Sequence, residues 1–136
     1  MNILEGKIVS IKKVDEFVSL NIEVKDKIFS AVVLDSDSLS WMRTGQSANI
    51  IFKETEVMIA TVSSKVSARN AFVSKIKEIE MGELFANVVF DFDGEEISSI
   101  ITKQSCEELG CAEGNEFIWF VKSNEVTIQK GGKSGR

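Results

Sequence analysis

The sequence contains no histidine, no proline and no tyrosine among its 136 residues. Without histidine the chain lacks the commonest metal ligand and general base, so a Ser-His-Asp triad and a Cys-His dyad are both excluded. Only two cysteines occur, Cys106 and Cys111, and their spacing fits neither a C-x-x-C redox motif nor a four-ligand zinc site. Two cysteines do not make a disulfide scaffold. We therefore expect a protein that is not an enzyme.

Charge and hydropathy narrow the class further. Acidic residues outnumber basic ones by 21 to 16, and the resulting net charge of −5 argues against a diffusely basic nucleic-acid binder. No apolar stretch approaches the ~20 residues of a membrane span, and the first residues, MNILEGKIVS, do not predict a signal peptide. We expect a cytoplasmic protein with neither a membrane nor a nucleic-acid partner.

Two halves of the chain resemble each other. The run NILEGKIVSIKK at Asn2 matches NAFVSKIKEIEM at Asn70, and GQSANIIFKETEVMI at Gly45 matches GNEFIWFVKSNEVTI at Gly114. The second match has an offset one residue larger than the first, so one residue is missing from the first half between about Leu34 and Gly45. The predicted division is repeat 1 (1–62), repeat 2 (68–130) and a flexible tail (131–136).

Apolar and polar residues alternate at equivalent places in the two repeats, and this alternation predicts the same set of strands in each. The single predicted helix is Gln104–Leu109, which stops at Gly110, and Asp93-Gly94 predicts a hairpin turn. This order indicates an all-β fold of two tandem OB-like, five-stranded Greek-key barrels, each with one short helical turn. The predicted strands are Ile3–Ile11, Leu20–Val24, Ile28–Val33, Ala48–Phe52 and Val57–Ile59, then Phe72–Ile79, Val88–Phe92, Glu96–Ile101, Phe117–Val121 and Val126–Ile128.

Polar groups stand at the boundaries of the predicted elements of repeat 2. Two of them, Arg69 and Lys122, are cations, and no carboxylate is among the set. A guanidinium supplies a fork of donors, an ammonium supplies a point charge, and hydroxyls donate without adding charge, so the set suits a small oxyanion. Backbone N–H groups at the start of the helical turn also favour an anion. The hydroxyls belong to Ser67, Thr102, Ser105 and Ser123.

Structural alternatives stay open for each of these residues. Either cation could be solvated or paired with a glutamate. Thr102 and Ser105 could cap the helix, with Ser105 and Glu108 forming a capping box. The two cysteines could be small apolar core residues, and the two tryptophans, Trp41 and Trp119, could lie in the core or at a subunit interface.

The ordered blocks Ser67-Ala68-Arg69-Asn70, Ile101-Thr102-x-x-Ser105 and Val121-Lys122-Ser123 resemble the Mop domain, a TOBE-type domain that binds molybdate or tungstate. The two-repeat layout resembles the di-Mop molbindins, which are small cytoplasmic oxyanion-binding proteins. The resemblance implies a homo-oligomer, a trimer of two-repeat chains, with sites between neighbouring units and no directly coordinated metal. It implicates Ser67, Ala68, Arg69, Asn70, Thr102, Ser105, Lys122 and Ser123.

Repeat 1 departs from this pattern. Only Met1 precedes Asn2, so the expected Ser and Arg are missing, and Glu54 follows Lys53 where a Ser or Ala is expected. A carboxylate near a dianion costs about 1 kcal/mol at 4 Å even in bulk water. We therefore expect a degenerate site in repeat 1, with Lys53 as a secondary candidate ligand. Two further changes are Leu34 in place of Thr102 and Asp37 in place of Ser105.

The function predicted from these features is reversible binding of molybdate or tungstate for storage, buffering or delivery. An oxyanion-responsive regulatory module that acts through a partner protein is the alternative. A third hypothesis, single-stranded nucleic-acid binding, rests on the barrel type alone. It is disfavoured by the net charge of −5 and by aromatic residues that lie mainly in apolar strands.

Overall fold

A computed structural model describes residues 1–131, so the predicted flexible tail lies, apart from Gly131, outside the described residues. The described part contains ten strands, one α-helix and three 3-10 turns, at Asp37–Leu39, Glu54–Glu56 and Ser123–Glu125. The helix is α1 (Lys103–Leu109). The strands are β1 (Asn2–Val14), β2 (Phe17–Val24), β3 (Lys27–Leu34), β4 (Ser47–Phe52), β5 (Met58–Ala60), β6 (Asn70–Met81), β7 (Phe85–Phe92), β8 (Glu95–Thr102), β9 (Glu116–Val121) and β10 (Thr127–Lys130).

All ten predicted strands and the predicted helix are present, and the all-β fold class is confirmed. Along β2 every second residue is buried, as the alternation of its sequence predicts. Asp93 and Gly94 both have positive φ, +51° and +95°, as an Asp-Gly hairpin turn requires. The helical turn predicted for repeat 1 is the 3-10 turn Asp37–Leu39. The 3-10 turns Glu54–Glu56 and Ser123–Glu125 were not predicted, because three residues are too few to leave a periodic pattern.

The strands form two five-stranded sheets that exchange one strand each between the repeats. The orders are β10-β4-β1-β2-β3 and β5-β9-β6-β7-β8. The fifth strand of repeat 1, β5, therefore pairs with β9 of repeat 2, and β10 of repeat 2 pairs with β4 of repeat 1. The compact units follow the sheets. Unit 1 contains Met1–Asn2 and Lys53–Val121, and unit 2 contains Ile3–Phe52 and, of the described residues, 122–131. The repeat boundaries given above stay a prediction about the sequence.

The longest strand of each repeat, β1 or β6, contains a β-bulge at the equivalent position. The pairing of β1 with β2 shifts between Ile8 and Ser10, and that of β6 with β7 shifts between Ile76 and Glu78. The same hydrogen bond stands beside each bulge. Gly45 donates to the carbonyl of Ile8 at 2.7 Å, and Gly114 donates to the carbonyl of Ile76 at 2.8 Å. Because a bulge bends its strand, both sheets curve at equivalent points.

At three equivalent positions of the core, unit 1 has aromatic residues and unit 2 has aliphatic ones. Phe72, Phe92 and Trp119 form a cluster with ring centroids 5.1–5.4 Å apart. Trp119 is fully buried, and its indole N–H donates to the Ser74 hydroxyl at 3.0 Å. The prediction that Trp119 lies in the core is therefore confirmed, whereas Trp41 is only half-buried. The repeat 1 counterparts of the three aromatic residues are Leu4, Val24 and Ile50, which are all buried.

Strand exchange predicts that a change in one repeat destabilises the sheet of the other. Gln129 pairs with Asn49. The bond from the Gly131 N–H to the Ser47 carbonyl makes this a hydrogen-bonded pair, because such pairs alternate along an antiparallel ladder. A Gln129→Pro substitution removes the donor. We expect amides of residues 48–51 to exchange about fivefold to tenfold faster, as loss of a bond of ~1 kcal/mol implies. Hydrogen exchange followed by mass spectrometry measures this.

The matched control is Ala60→Pro, because Ala60 is the counterpart of Gln129 and pairs with Ile118. It should accelerate exchange in residues 117–120 and spare residues 48–51. Acceleration of β9 by Gln129→Pro, with β4 unaffected, would contradict the exchanged pairing.

Candidate functional site

The segment Ser67–Asn70 enters the first residue of β6. Asn70 begins the strand, is fully buried and pairs with Val121, the last residue of β9. Ser67 and Arg69 are exposed and Ala68 is half-buried. None of these three residues is in a strand or helix, so their side chains and backbone amides are not committed to a sheet ladder.

Thr102 and Ser105 come together at the start of α1. Thr102 is the N-cap residue, and its hydroxyl oxygen accepts from the backbone N–H of Ser105 at 3.1 Å. The same hydroxyl donates to the Ser105 hydroxyl at 2.9 Å. The two exposed hydroxyls therefore form a linked pair, and the Ser105 amide is already satisfied.

The predicted capping box of Ser105 and Glu108 is wrong. Since the helix begins at Lys103, Ser105 is its third residue and cannot be the N-cap. Glu108 lies farther along, where its carboxylate accepts a hydrogen bond from the Gln104 amide at 3.3 Å. The capping interpretation itself holds for Thr102, one turn earlier.

Thr102 and Ser105 are far from Ser67–Asn70 along the sheet. Thr102 pairs with Phe85 at the start of β7, beside the point where Ala86 pairs with Met81 at the end of β6. Asn70 is at the other end of this 12-residue strand. At ~3.3 Å per residue, the separation along the strand is roughly 35 Å. Within unit 1 these two predicted parts of the site are therefore at opposite ends of β6.

Lys122 and Ser123 belong to unit 2, where they start the turn before β10. Lys122 is exposed. The half-buried Ser123 hydroxyl donates to the hydroxyl of Ser30 on β3 at 2.9 Å. This contact fixes the turn against a strand of repeat 1. No motif in the sequence singles out Ser30.

The equivalent turn of repeat 1 carries a carboxylate. Glu54, the counterpart of Ser123, begins the 3-10 turn Glu54–Glu56, which packs against β8. Its carboxylate accepts a hydrogen bond from the amino group of Met1 at 2.6 Å, and this bond lowers the pKa of Glu54. Lys53 is exposed beside it. An acid therefore stands where the other turn has a hydroxyl.

Asn2 has a role that the sequence did not reveal. Its side-chain amide donates to the Ser98 carbonyl at 2.9 Å and accepts from the Ser98 N–H at 2.8 Å. Asn2 is 4% exposed, and Asn70, its counterpart, is fully buried. An asparagine at the start of the first strand in both repeats was the available signal. In the structure, Asn2 is hydrogen-bonded to the backbone of β8, the third strand of repeat 2.

The described residues 1–131 contain no group of three or more Cys, Asp or Glu side chains that could hold a metal ion. In the same range, no helix has the length and apolar composition of a membrane span. The candidate donors for a ligand are thus the exposed cations, hydroxyls and loop amides named above.

Comparison with known proteins identifies the family. The TOBE domain model matches residues 66–128. Molybdenum-pterin-binding protein 2 of Clostridium pasteurianum is 42% identical over 64 residues, which are 46% of this chain and 94% of that protein. The chain belongs to the Mop family of TOBE domains.

Two further comparisons extend the match of this Mop-family chain beyond repeat 2. A solved structure of ModG, described as a cytoplasmic molybdate-binding protein with molybdate bound, has a TM-score of 0.90 and 26% identity over 96% of each chain. Molybdenum transport protein ModE of Azotobacter vinelandii is 26% identical over 117 residues, which are 85% of this chain and 43% of that protein. The layout of two Mop repeats in one chain therefore has a close structural precedent.

The N-cap of α1 predicts a measurable loss of stability. Thr102→Val keeps the shape of the side chain but removes the hydroxyl that caps the Ser105 N–H. We expect the free energy of unfolding to fall by about 1 kcal/mol. Urea denaturation followed by circular dichroism measures it. Thr102→Ser keeps the hydroxyl and should retain most of the stability, whereas equal stability of the Val variant and the unaltered protein would contradict the capping role.

Proposed function

We propose that the chain binds molybdate or tungstate reversibly through Arg69, Lys122 and neighbouring hydroxyls and amides. The observation that carries this proposal is the likeness to molybdate-bound ModG over 96% of both chains. Relatives from Clostridium pasteurianum are named as molybdenum-pterin-binding proteins, and they match at 38–42% identity. No covalent chemistry is required of any residue.

The predicted donor set has the chemistry of an oxyanion site. Arg69 and Lys122 are exposed cations whose charge is available to a dianion. The Ser67, Thr102, Ser105 and Ser123 hydroxyls add donors, and the loop amides near Ala68 and Asn70 add more. Charge-assisted hydrogen bonds of this kind are shorter and roughly twice as strong as neutral ones. The anion would be held through its oxygens, without protein atoms on the metal.

We infer that a complete site requires more than one copy of the chain. Thr102 and Ser105 lie at the opposite end of β6 from Ser67–Asn70, so one unit cannot supply both parts to one small anion. Repeat 1 cannot supply a second intact set, because Glu54 and Leu34 replace a hydroxyl at each end. Lys53 is the one cation that repeat 1 could contribute.

Exposed apolar residues support assembly at both ends of β6. Beside Thr102, the Phe85 cluster consists of Met81, Leu84 and Phe85, which are 48–68% exposed. Near Asn70, at the other end of β6, Met58 and Val73 are 59% and 52% exposed. Both lie on the face of the sheet opposite Trp119. Contact between these two surfaces in neighbouring copies would bring Asn70 of one close to Thr102 of the next. Such a head-to-tail contact builds a homo-oligomer, which forms a closed ring if the rotation between copies closes. The family resemblance implies a trimer of two-repeat chains.

The physiological role we propose is storage, buffering or delivery of the oxyanion in the cytoplasm, without catalysis and without a nucleic-acid or membrane partner. Binding by hydrogen bonds alone leaves the anion unchanged and free to leave. ModG, which has the same two-repeat extent, is described as cytoplasmic.

One observation favours a second candidate role. The relative ModE is named a molybdenum transport protein, and this chain spans only 43% of it. A Mop pair can therefore be part of a larger protein. The chain could act as an oxyanion-responsive module that changes its contacts with a partner protein. A partner that copurifies only in the presence of molybdate would favour this role over storage.

Removal of either cation should weaken oxyanion binding. We expect Arg69→Ala and Lys122→Ala each to raise the Kd for molybdate about 10- to 100-fold, because a hydrogen bond to a charged group contributes ~1.5–3 kcal/mol. Isothermal titration calorimetry of the full chain measures the Kd and the number of anions bound.

Lys13→Ala is the matched control, because Lys13 is an exposed cation of repeat 1 beside Asp35, at 3.9 Å. It should bind molybdate normally. Lys53→Ala reports whether repeat 1 contributes a donor. Unchanged affinity in both Arg69→Ala and Lys122→Ala would contradict the assignment of the site.

Assembly should depend on the Phe85 cluster. Phe85→Glu places a charge on this apolar surface, and we expect it to dissociate the oligomer and to lower molybdate affinity together. Native mass spectrometry, with and without molybdate, reports both the number of chains and the bound anions. Gln129→Glu adds the same charge at another exposed position and should do neither. A monomer that retains full affinity would contradict sites shared between copies.

A further inference from the structure

The C-terminus of α1 brings the two cysteines together. Gly110 has a left-handed backbone with φ of +72°. Its N–H donates to the Glu107 carbonyl at 3.1 Å, and the N–H of Cys111 donates to the Cys106 carbonyl at 3.2 Å. These two bonds form a Schellman motif, in which the side chains at the ends of the longer bond commonly touch. In this chain both of those side chains are thiols.

The spacing of five residues did not predict this contact. On an uninterrupted helix, residues five apart point about 140° away from each other. The left-handed residue Gly110 reverses the chain and returns Cys111 to the side of Cys106. The neighbouring Cys106 thiol is one of the groups that raise the pKa of Cys111, so the two thiols are close enough to interact. Both thiols are free.

The two thiols differ in access to solvent. Cys106 is 1% exposed, whereas Cys111 is only half-buried. A reagent in solution can therefore reach Cys111 first. Cys106 is its partner at the other end of the Schellman motif, in the position of a resolving cysteine.

We propose that Cys106 and Cys111 form a reversible modification site that low-molecular-weight disulfides, such as glutathione disulfide, oxidise to an intramolecular disulfide. The Cys111 thiolate attacks one sulfur of the reagent, its S–S bond breaks, and one thiolate leaves and takes a proton from water. Cys106 then loses its proton and attacks the Cys111 sulfur, which displaces the second thiolate. Two protein thiols lose two electrons, and one external disulfide becomes two thiols.

The first step sets the rate. Burial, together with the neighbouring Cys106, raises the pKa of Cys111 to about 11. Since only the thiolate reacts, oxidation should be slow at pH 7 and accelerate about tenfold per pH unit up to about pH 10. The second step is intramolecular, so the mixed disulfide should not accumulate.

The test uses the reduced full chain with glutathione disulfide at mildly alkaline pH. Samples are unfolded, alkylated with N-ethylmaleimide and weighed as intact protein. The unaltered chain should lose two hydrogens and take up neither glutathione nor alkylating reagent. Cys106→Ser should keep one glutathione adduct, and Cys111→Ser should stay unmodified over the same time.

Three results in the unaltered chain would overturn the proposal, and none of them depends on a variant that folds. They are two free thiols throughout, a single glutathione adduct that persists as the end product, and a disulfide between two copies with doubled mass. Circular dichroism of the serine variants verifies that they can be compared with the unaltered chain.

Discussion

The pairing of each fifth strand with the sheet of the other repeat is the constraint on which the rest of the structure depends. β5 completes the sheet of repeat 2, and β10 completes that of repeat 1. The turn before each of these strands is carried along with it. Glu54–Glu56 thereby packs against β8, and Ser123–Glu125 packs against β3. The lysine of each turn is therefore placed by the strand exchange, next to a strand of the opposite repeat.

The same architecture holds two turns of different electrostatic character. Where repeat 2 has Ser123, bonded to the Ser30 hydroxyl, repeat 1 has Glu54, whose charge is matched by the Met1 amino group. The first turn therefore presents a neutral hydroxyl, and the second presents a carboxylate that is paired with an ammonium group. The net charge of −5 gives no indication of this difference, because binding of a small anion depends on charges within a few ångströms and much less on distant screened ones.

The loop after the third strand shows how one missing residue changes a local structure. Repeat 2 has α1 there, capped by the Thr102 hydroxyl and closed by Gly110. Repeat 1 has Leu34 in place of Thr102, and only a 3-10 turn, Asp37–Leu39, whose N-cap residue, Ser36, makes no side-chain capping hydrogen bond. A leucine cannot accept a hydrogen bond from an orphan N–H at a helix start. The loss of the cap and the shortening of the loop therefore occur together.

The sequence by itself determined the ten strands, the Asp-Gly turn, the two repeats and the residue types of the candidate site, because each is a short-range pattern. It did not determine which sheet receives β5 and β10, since a strand of three or four residues has the same pattern beside either partner. Only the tertiary structure separated Thr102 from Asn70, tied Asn2 to Ser98 and joined Cys106 to Cys111. Those relations depend on chain reversal and on pairing between distant residues, which local periodicity does not encode.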